Sequence, residues 1–495
     1  MKAALGVMAV AAGTGAAAVG VCVLATGLAR GNVELLRLGR RFVFAVLAAA
    51  IAAALVMEWA LLTHDFSIEY VAENNARATP LLYTITGLWA ALEGSILLWG
   101  LVLAGYLAVV AYRFRDRATD PLVAWALITG LVVALFFFGL MLGPANPFRT
   151  IEGAVPVDGA GPNPLLQNHP LMAFHPPMLY LGYVGFTVPF CFAVAALVTG
   201  RFGEGWLEDT RRYALVAFGF LTAGIILGSW WSYEVLGWGG YWAWDPVENA
   251  ALLPWLTATA FIHSSMVAER RGTLRIWAHA LVIATFVLTL VGTFLTRSGV
   301  VESVHSFTIS AIGPWFAAAI VLTMTAALGL LVWRLPELAD ARPAGAAVSR
   351  EGAFLFNNVL FLGITFVVLF GTLYPLVVDA VSGERISVAA PWFNRVNAPL
   401  FVALLFLMGV GPALPWGGAS WSTIRDRFAL PVLAAAGALL GGWALGLREA
   451  APLAAIGLAA FVVVVMGDEV VRGARARVRS RGEAPPAAAW RLATR

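Results

Sequence analysis

Charge is scarce in this chain. Asp, Glu, Lys and Arg make up 12% of its 495 residues, about half the share of a soluble domain. Hydrophobic residues make up 60% and mean hydropathy is +0.83, which excludes an ordinary soluble fold. Many windows of roughly 20 residues hold almost no charge, the length a helix needs to cross a bilayer. The alternating pattern of a membrane β-barrel is missing. Cysteine is nearly absent. Cys22 and Cys191 lie far apart in apolar stretches; they read as small core residues and exclude a disulfide framework. No CxxCH motif occurs, and no Walker or dinucleotide signature. The net charge of +4 fits basic loops at a membrane face better than a nucleic-acid partner.

About 13 candidate spans follow, near 4–29, 42–62, 94–112, 121–142, 178–199, 213–231, 248–268, 276–295, 311–333, 354–376, 398–415, 428–446 and 451–467. The expected fold is an all-α, polytopic membrane protein. Residues 3–29 have the apolar core of a leader, but the run is too long and enters a basic loop, so it reads as the first span. Arginine assigns the sides, because cytoplasmic loops collect basic residues. Arg30, Arg37, Arg40 and Arg41 fall in the first loop, Arg113, Arg115 and Arg117 in the third, and Arg201, Arg211 and Arg212 in the fifth. Arg270, Arg271 and Arg275 fall in the seventh, and the ninth and eleventh are basic as well. The pattern predicts an outside N-terminus, a helical bundle over 1–471 and a basic cytoplasmic tail over 472–495.

What the chain does have is concentrated. The run WGGYWAWDPVEN begins at Trp238 and sets three Trp and one Tyr within seven residues, laced with Gly239 and Gly240. It falls in an outer loop between the sixth and seventh spans. Interfacial tryptophans are common in membrane proteins, but such belts scatter their rings. A compact run suits the wall of one large flat ligand. DPVEN also reads as a helix start, with Asp245 as N-cap, Pro246 first and Glu248 third. That reading accounts for both acids without any chemistry.

Six histidines occur: His64, His169, His175, His263, His279 and His305. A lone histidine is more often structural than functional. His175 precedes Pro176 in FHPPMLY, which disfavours the helical region for His175 and suits Pro176 to the first helical position. It is expected to cap the outer end of the fifth span, a rigid mount for a metal ligand. His305 follows the eighth span on the same side. Together the two suit the opposite faces of a haem iron, with Arg297 near a propionate. His263 and His279 lie inside spans, roughly 6–8 Å from the inner end, where an ionisable residue is a functional candidate. They are placed to face each other or a third helix.

At these residues the sequence resembles the CcmF family, the haem lyase subunit of the bacterial system I cytochrome c maturation machinery. That family belongs to a haem-handling superfamily named for a tryptophan-rich WWD segment. Here the segment is WGGYWAWDPVENAALLPW, Trp238 to Trp255, within an outer stretch at 228–255. HPPMLYLGYVGF, FLTRSGVVESVHSF, ALEGSILLW and GTLYPLVVDA occur in the family's order, and the similarity covers nearly the whole chain.

The resemblance implies a multi-pass protein of the bacterial inner (plasma) membrane with its active face in the periplasm. It implies that haem arrives from a periplasmic haem chaperone and is held transiently at the WWD segment between His175 and His305. The haem vinyl groups are then joined, as thioethers, to the CxxCH cysteines of an apocytochrome c, with other maturation subunits as partners. It also implies a resident haem b in the membrane, with His263 as one iron ligand. The chain departs from the family at its end. The family's other b-haem histidine follows the segment that matches the tail here, and the sequence stops at Arg495 before any such helix. Three readings stay open: a piece of a longer chain, a short form completed by another subunit, or a different b-haem site. His279 has the depth of a substitute ligand.

The expected mechanism is positioning, which alone supplies several kcal/mol. Trp238, Tyr241, Trp242 and Trp244 orient the porphyrin, and Gly239 and Gly240 allow close backbone approach. Asp245 and Glu248 hold the loop, orient a ligand histidine or assist proton transfer. His175 and His305 ligate iron until the apocytochrome's own histidine displaces one of them. Two rival functions stand beside this. A haem transporter without ligation activity shares the WWD segment but usually has fewer helices. A non-haem secondary transporter would show paired discontinuous helices or buried acids and lysines, whereas these spans hold few acids and no lysine.

Overall fold

The computed structural model describes residues 1–164, 169–203, 205–237, 239–301, 303, 311–339 and 346–493. Among them, thirteen helices are long and apolar enough to cross a membrane. They are α1 (Lys2–Arg30), α2 (Val33–Leu62), α3 (Leu92–Arg113), α4 (Pro121–Leu142), α5 (Leu171–Thr199), α6 (Gly205–Val235), α7 (Pro246–Arg271), α8 (Arg275–Arg297), α9 (Gly313–Leu338), α10 (Arg350–Ser382), α11 (Ala390–Ala413), α12 (Trp421–Ala444) and α13 (Ala450–Arg481). The protein is an all-α, multi-pass membrane protein; the described residues hold one isolated β-bridge, Ile68 to Thr150, and no strand.

Local sequence sets the helix ends. Asn32 accepts from Leu35 N–H at 3.1 Å to start α2, and Asp120 accepts from Leu122 N–H at 3.0 Å to start α4. Gly31 (φ 60°) and Gly272 (φ 70°) end α1 and α7 in the left-handed conformation that favours glycine. Several helices outrun their apolar windows, because charged residues continue them. In α13 Arg472 pairs one turn back with Asp468 at 2.9 Å and Glu469 at 2.8 Å, so the segment expected as a tail from 472 is helical to Arg481. A short helix, Pro485–Ala493, follows.

Contacts divide the chain into two compact units, Met1–Ala339 and Asp340–Arg495. The first holds α1–α9. On α1 glycine recurs every seven residues, at Gly6, Gly13, Gly20 and Gly27, all buried. A Cβ at Gly13 would stand 2.2 Å from the Phe138 ring, and one at Gly27 2.9 Å from Leu36 Cδ2. Small residues in such a stripe let neighbouring helices approach where lipid supplies no hydrophobic drive. Cys22 lies off that stripe and is exposed, which corrects the expectation of a core residue; Cys191 is buried. The second unit holds α10–α13, with the Phe461 ring of α13 stacked on Phe406 and Phe428.

Alternation of the helices shows in the polar contacts of the first unit. Arg117 pairs with Asp120 at 2.8 Å and with Asp209 at 2.6 Å, and Arg201 pairs with Asp120 at 2.6 Å. The arginine-rich third and fifth loops therefore share a face. Between α2 and α3 lie two short helices, Glu69–Asn74 and Leu81–Thr86. The segment after α4 docks on them: Ala160 N–H donates to Ala72 O at 2.8 Å, and Arg77 N–H donates to Asp158 Oδ1 at 2.9 Å.

Candidate functional site: a tryptophan-lined cleft around His175

The site is built on close packing of α5 against α6. A Cβ at Gly182 would lie 2.6 Å from the backbone Cα of Leu221, and one at Gly224 would lie 2.9 Å from the backbone of Leu179. Only glycine admits so near a crossing. It brings His175 onto α6, where its Nδ1 is 2.8 Å from Gly224 O. A carbonyl only accepts, so Nδ1 carries the proton and Nε2 carries the lone pair. A Cβ at Gly228 would be 2.6 Å from His175 Cε1, so Gly228 makes the room in which the imidazole lies.

His175 does not cap the helix as expected. The helical segment begins at Leu171, and Pro176 and Pro177 lie inside it. The restriction that proline imposes on its neighbour is a tendency, and here it is outweighed. Pro176 lacks the N–H that would reach the carbonyl of Met172, and the indole of Trp89 donates to that carbonyl at 3.0 Å. The two helical pieces of α5 meet at Phe186.

A cleft continuous with the exterior opens beside His175. Trp89, Trp99, Trp231, Tyr180 and Tyr183 supply its aromatic walls. The Trp231 ring is edge-on to His175 at 5.7 Å and stacked on His169 at 6.0 Å. His169 Nδ1 accepts from Leu171 N–H at 3.3 Å, so Nε2 donates to Glu234 Oε2 at 2.7 Å. Trp99 stands edge-on to Tyr180 at 5.8 Å. Arg297 donates to Tyr180 Oη at 2.8 Å. Among the described residues the buried Trp99 Nε1 and Ser232 Oγ, both on cleft-lining residues, have no hydrogen-bond partner. Buried polar atoms are normally satisfied, so these two are available to an occupant or to water.

Of the residues singled out in the sequence, His175, Trp242, Glu248 and Arg297 line this cleft. Tyr241 does not; it is 58% exposed and stacks on Tyr233 at 4.5 Å. Trp244 meets Trp242 edge-on at 6.0 Å. Gly239 and Trp244 both have left-handed backbone, φ 66° and 60°, and Trp244 therefore carries strain of order 1–3 kcal/mol. Its neighbours hold it. Glu248 Oε2 accepts from Ala243 N–H at 2.9 Å and Asp245 N–H at 3.2 Å, and Asn249 Nδ2 donates to Trp244 O at 3.1 Å. Asp245 caps α7 with Pro246 first and Glu248 completing a capping box, as the DPVEN motif predicts. Gly240 borders the same turn. Trp238 and His305 lie outside the described residues.

The two membrane histidines stand apart from the cleft. His279 is 1% exposed; its Nδ1 donates to Arg275 O at 2.9 Å and its ring packs on Trp206 at 4.6 Å. Its Nε2 has no hydrogen-bond partner among the described residues. His263 is half-buried on α7. The sequence reasoning missed Trp89, Trp99, Trp231, Tyr180 and Tyr183 as walls. Trp99, Tyr180 and Tyr183 sit inside ALEGSILLW and HPPMLYLGYVGF, so the signal was present as motif membership, without a role attached.

Known proteins are similar to this chain. The family described as cytochrome c assembly proteins matches residues 89–301, which takes in every wall of the cleft. The cytochrome c-type biogenesis protein CcmF of Pseudomonas aeruginosa is 42% identical over 411 residues, covering 82% of this chain and 62% of that protein. The cytochrome c-type biogenesis protein CycK of Bradyrhizobium diazoefficiens is 42% identical over 440 residues, covering 86% and 65%. The chain thus spans just under two thirds of the length of these relatives. A solved structure titled Cytochrome c Heme Lyase CcmF superposes with a TM-score of 0.80 at 40% identity, over 97% of this chain and 72% of that one. With this cleft, this helical framework and these relatives, the chain belongs to the CcmF family of cytochrome c biogenesis proteins.

Proposed function

We propose that this protein is the haem lyase component of cytochrome c maturation. The observation that carries this is His175, held by α6 with its lone pair on Nε2, in the wall of a tryptophan-lined cleft. The residues present suit haem as the substrate. The aromatic walls fit a flat apolar macrocycle, His175 Nε2 suits its iron, and Arg297 suits a propionate. His305 is the second outer ligand in this reading, and Trp238, Tyr241, Trp242 and Trp244 orient the ring.

The reaction adds each cysteine S–H of a CxxCH segment across a haem vinyl C=C. Sulfur bonds to the carbon nearer the ring and the thiol hydrogen ends on the terminal carbon, so no atom is lost and the addition itself needs no oxidant. The chain's part is to bind and orient the substrate in the cleft. Asp245 and Glu248 are assigned to holding the turn, since their oxygens cap α7 and its entry.

The same reading sets the Trp-rich face in the periplasm, the arginine-rich loops and the basic segment after 472 in the cytoplasm, and the helices in the bacterial inner membrane. Its partners are a periplasmic haem chaperone, an apocytochrome c and other maturation subunits. His263 is one ligand of a resident haem b, which would supply electron transfer within the membrane.

The test begins with the visible spectrum of the purified protein and a titration with hemin. A His175-dependent low-spin spectrum, and thioether formation on a CxxCH peptide, are expected. Hemin binding with no thioether would favour haem delivery without ligation. A colourless protein that His175→Ala leaves unchanged in hemin titration would reject the haem reading and favour a transporter.

A further inference from the structure

The fifth helix contains a contradiction. It holds two consecutive prolines, Pro176 and Pro177, directly after the histidine that faces the cleft. Proline in a helix interior removes a backbone donor and tends to break the helix. The break would fall on the turn that carries His175, since the amide that Pro176 lacks belongs to the carbonyl of Met172, four residues back.

We propose that Trp89 is a positioning residue for His175: its indole N–H stands in for the missing amide. Trp89 Nε1 donates to Met172 O at 3.0 Å from 83 residues away in the chain. Met172 is buried beside Ala90, and Trp89 and Trp231 pack against the pair. The turn from Met172 to Pro176 is thereby held at its backbone by Trp89, while its imidazole is held on α6 by Gly224 O. Two supports from two different elements fix the direction of the Nε2 lone pair. A ligand histidine so fixed loses little freedom on binding, and Trp89 also forms part of the cleft wall. The role rests on the proposal that His175 binds haem iron.

The test is a double-mutant cycle in the full chain, purified in detergent. Trp89→Phe keeps a ring and deletes the N–H. Pro176→Ala returns the backbone amide, so the indole donor becomes dispensable. Hemin titration of the parent background is expected to show Trp89→Phe weakening binding by about threefold to tenfold, the worth of one hydrogen bond, with a shift from low-spin to high-spin ferric bands. In the Pro176→Ala background the same substitution is expected to change binding by less than about twofold. Melting of the haem-free protein is expected to show the same rescue.

Equal losses in both backgrounds, in binding and in melting, would overturn the proposal, because Trp89 would then act through its ring alone. The haem-free arm separates the two failures. Rescue in melting without any His175-dependent hemin binding sinks the haem assignment and keeps the support from Trp89. His175-dependent binding with additive effects in both assays sinks the role of Trp89 and keeps the haem assignment.

Discussion

The Ser303 hydroxyl donates to Asp245 Oδ2 at 2.6 Å. The same carboxylate oxygen accepts from Val247 N–H at 2.9 Å and caps α7. One side chain thus ties the end of the Trp-rich run to the segment after α8, two residues before His305.

Ser303→Ala removes the tie and leaves the cap. Hemin affinity is expected to fall several-fold with little change in melting, while Asp245→Ala, which loses both, costs about 1 kcal/mol of stability in addition. Hemin titration beside thermal unfolding separates these. Unchanged affinity in Ser303→Ala would mean that the link does not reach the proposed haem site.

Gly228 gives a sharper test of the imidazole. Gly228→Ala brings a methyl to 2.6 Å from His175 Cε1, so the ring must turn and its hydrogen bond to Gly224 O is lost. Loss of the low-spin hemin spectrum is expected. Gly219→Ala on the same helix meets nothing within 4 Å, and should leave the spectrum alone and add up to about 0.5–1 kcal/mol of stability.

The α5–α6 crossing predicts an energetic rather than a spectroscopic result. Gly182→Ala would press on the backbone of Leu221 at 2.5–2.6 Å, which no rotamer relieves. A loss of about 1–3 kcal/mol is expected, read as a lowered melting temperature. A melting temperature equal to the parent's would show that the two helices separate without cost.

Docking of the segment after α4 should respond to acid. The hydrogen bond from Arg77 N–H, with a second from Gly159 N–H and the Arg77 charge, holds the Asp158 carboxyl below the usual carboxylate range. A depressed folded-state pKa stabilises above the unfolded value and is lost as pH falls through the folded value. Proteolysis within 152–161 is therefore expected to rise as pH drops below about 4. Asp158→Asn should show high cleavage at neutral pH and little further change on acidification. Parent cleavage that is flat from pH 7 to pH 3 would refute this.

The number of spans, the alternation of basic loops and the cap at DPVEN were legible in the sequence. Each depends on neighbours in the chain: a window's hydropathy, a loop's arginines, an acid three residues from an acid. Cys22 shows where that ends. Its stretch is apolar, but the face it occupies on α1 depends on which glycines meet α2 and α4. His175 shows it again. Pairwise preferences around proline put it at a helix end, whereas it lies inside the helix, on a turn whose Met172 carbonyl is met by a distant tryptophan.

The sequence by itself determined that this is a helical membrane protein of the CcmF family, with a Trp-rich segment opening α7 through Asp245 and Glu248. Hydropathy, capping and motif order are local, and they depend on no tertiary contact. Tertiary structure decided which aromatic rings form the wall. It turned Trp242 to the cleft and Tyr241 onto Tyr233, and it recruited Trp89, Trp99 and Trp231 from three separate stretches. It also decided which nitrogen of His175 carries the lone pair. The placing of His175 follows from a helix crossing that Gly182, Gly224 and Gly228 permit, and contact across such a crossing has no period along the chain.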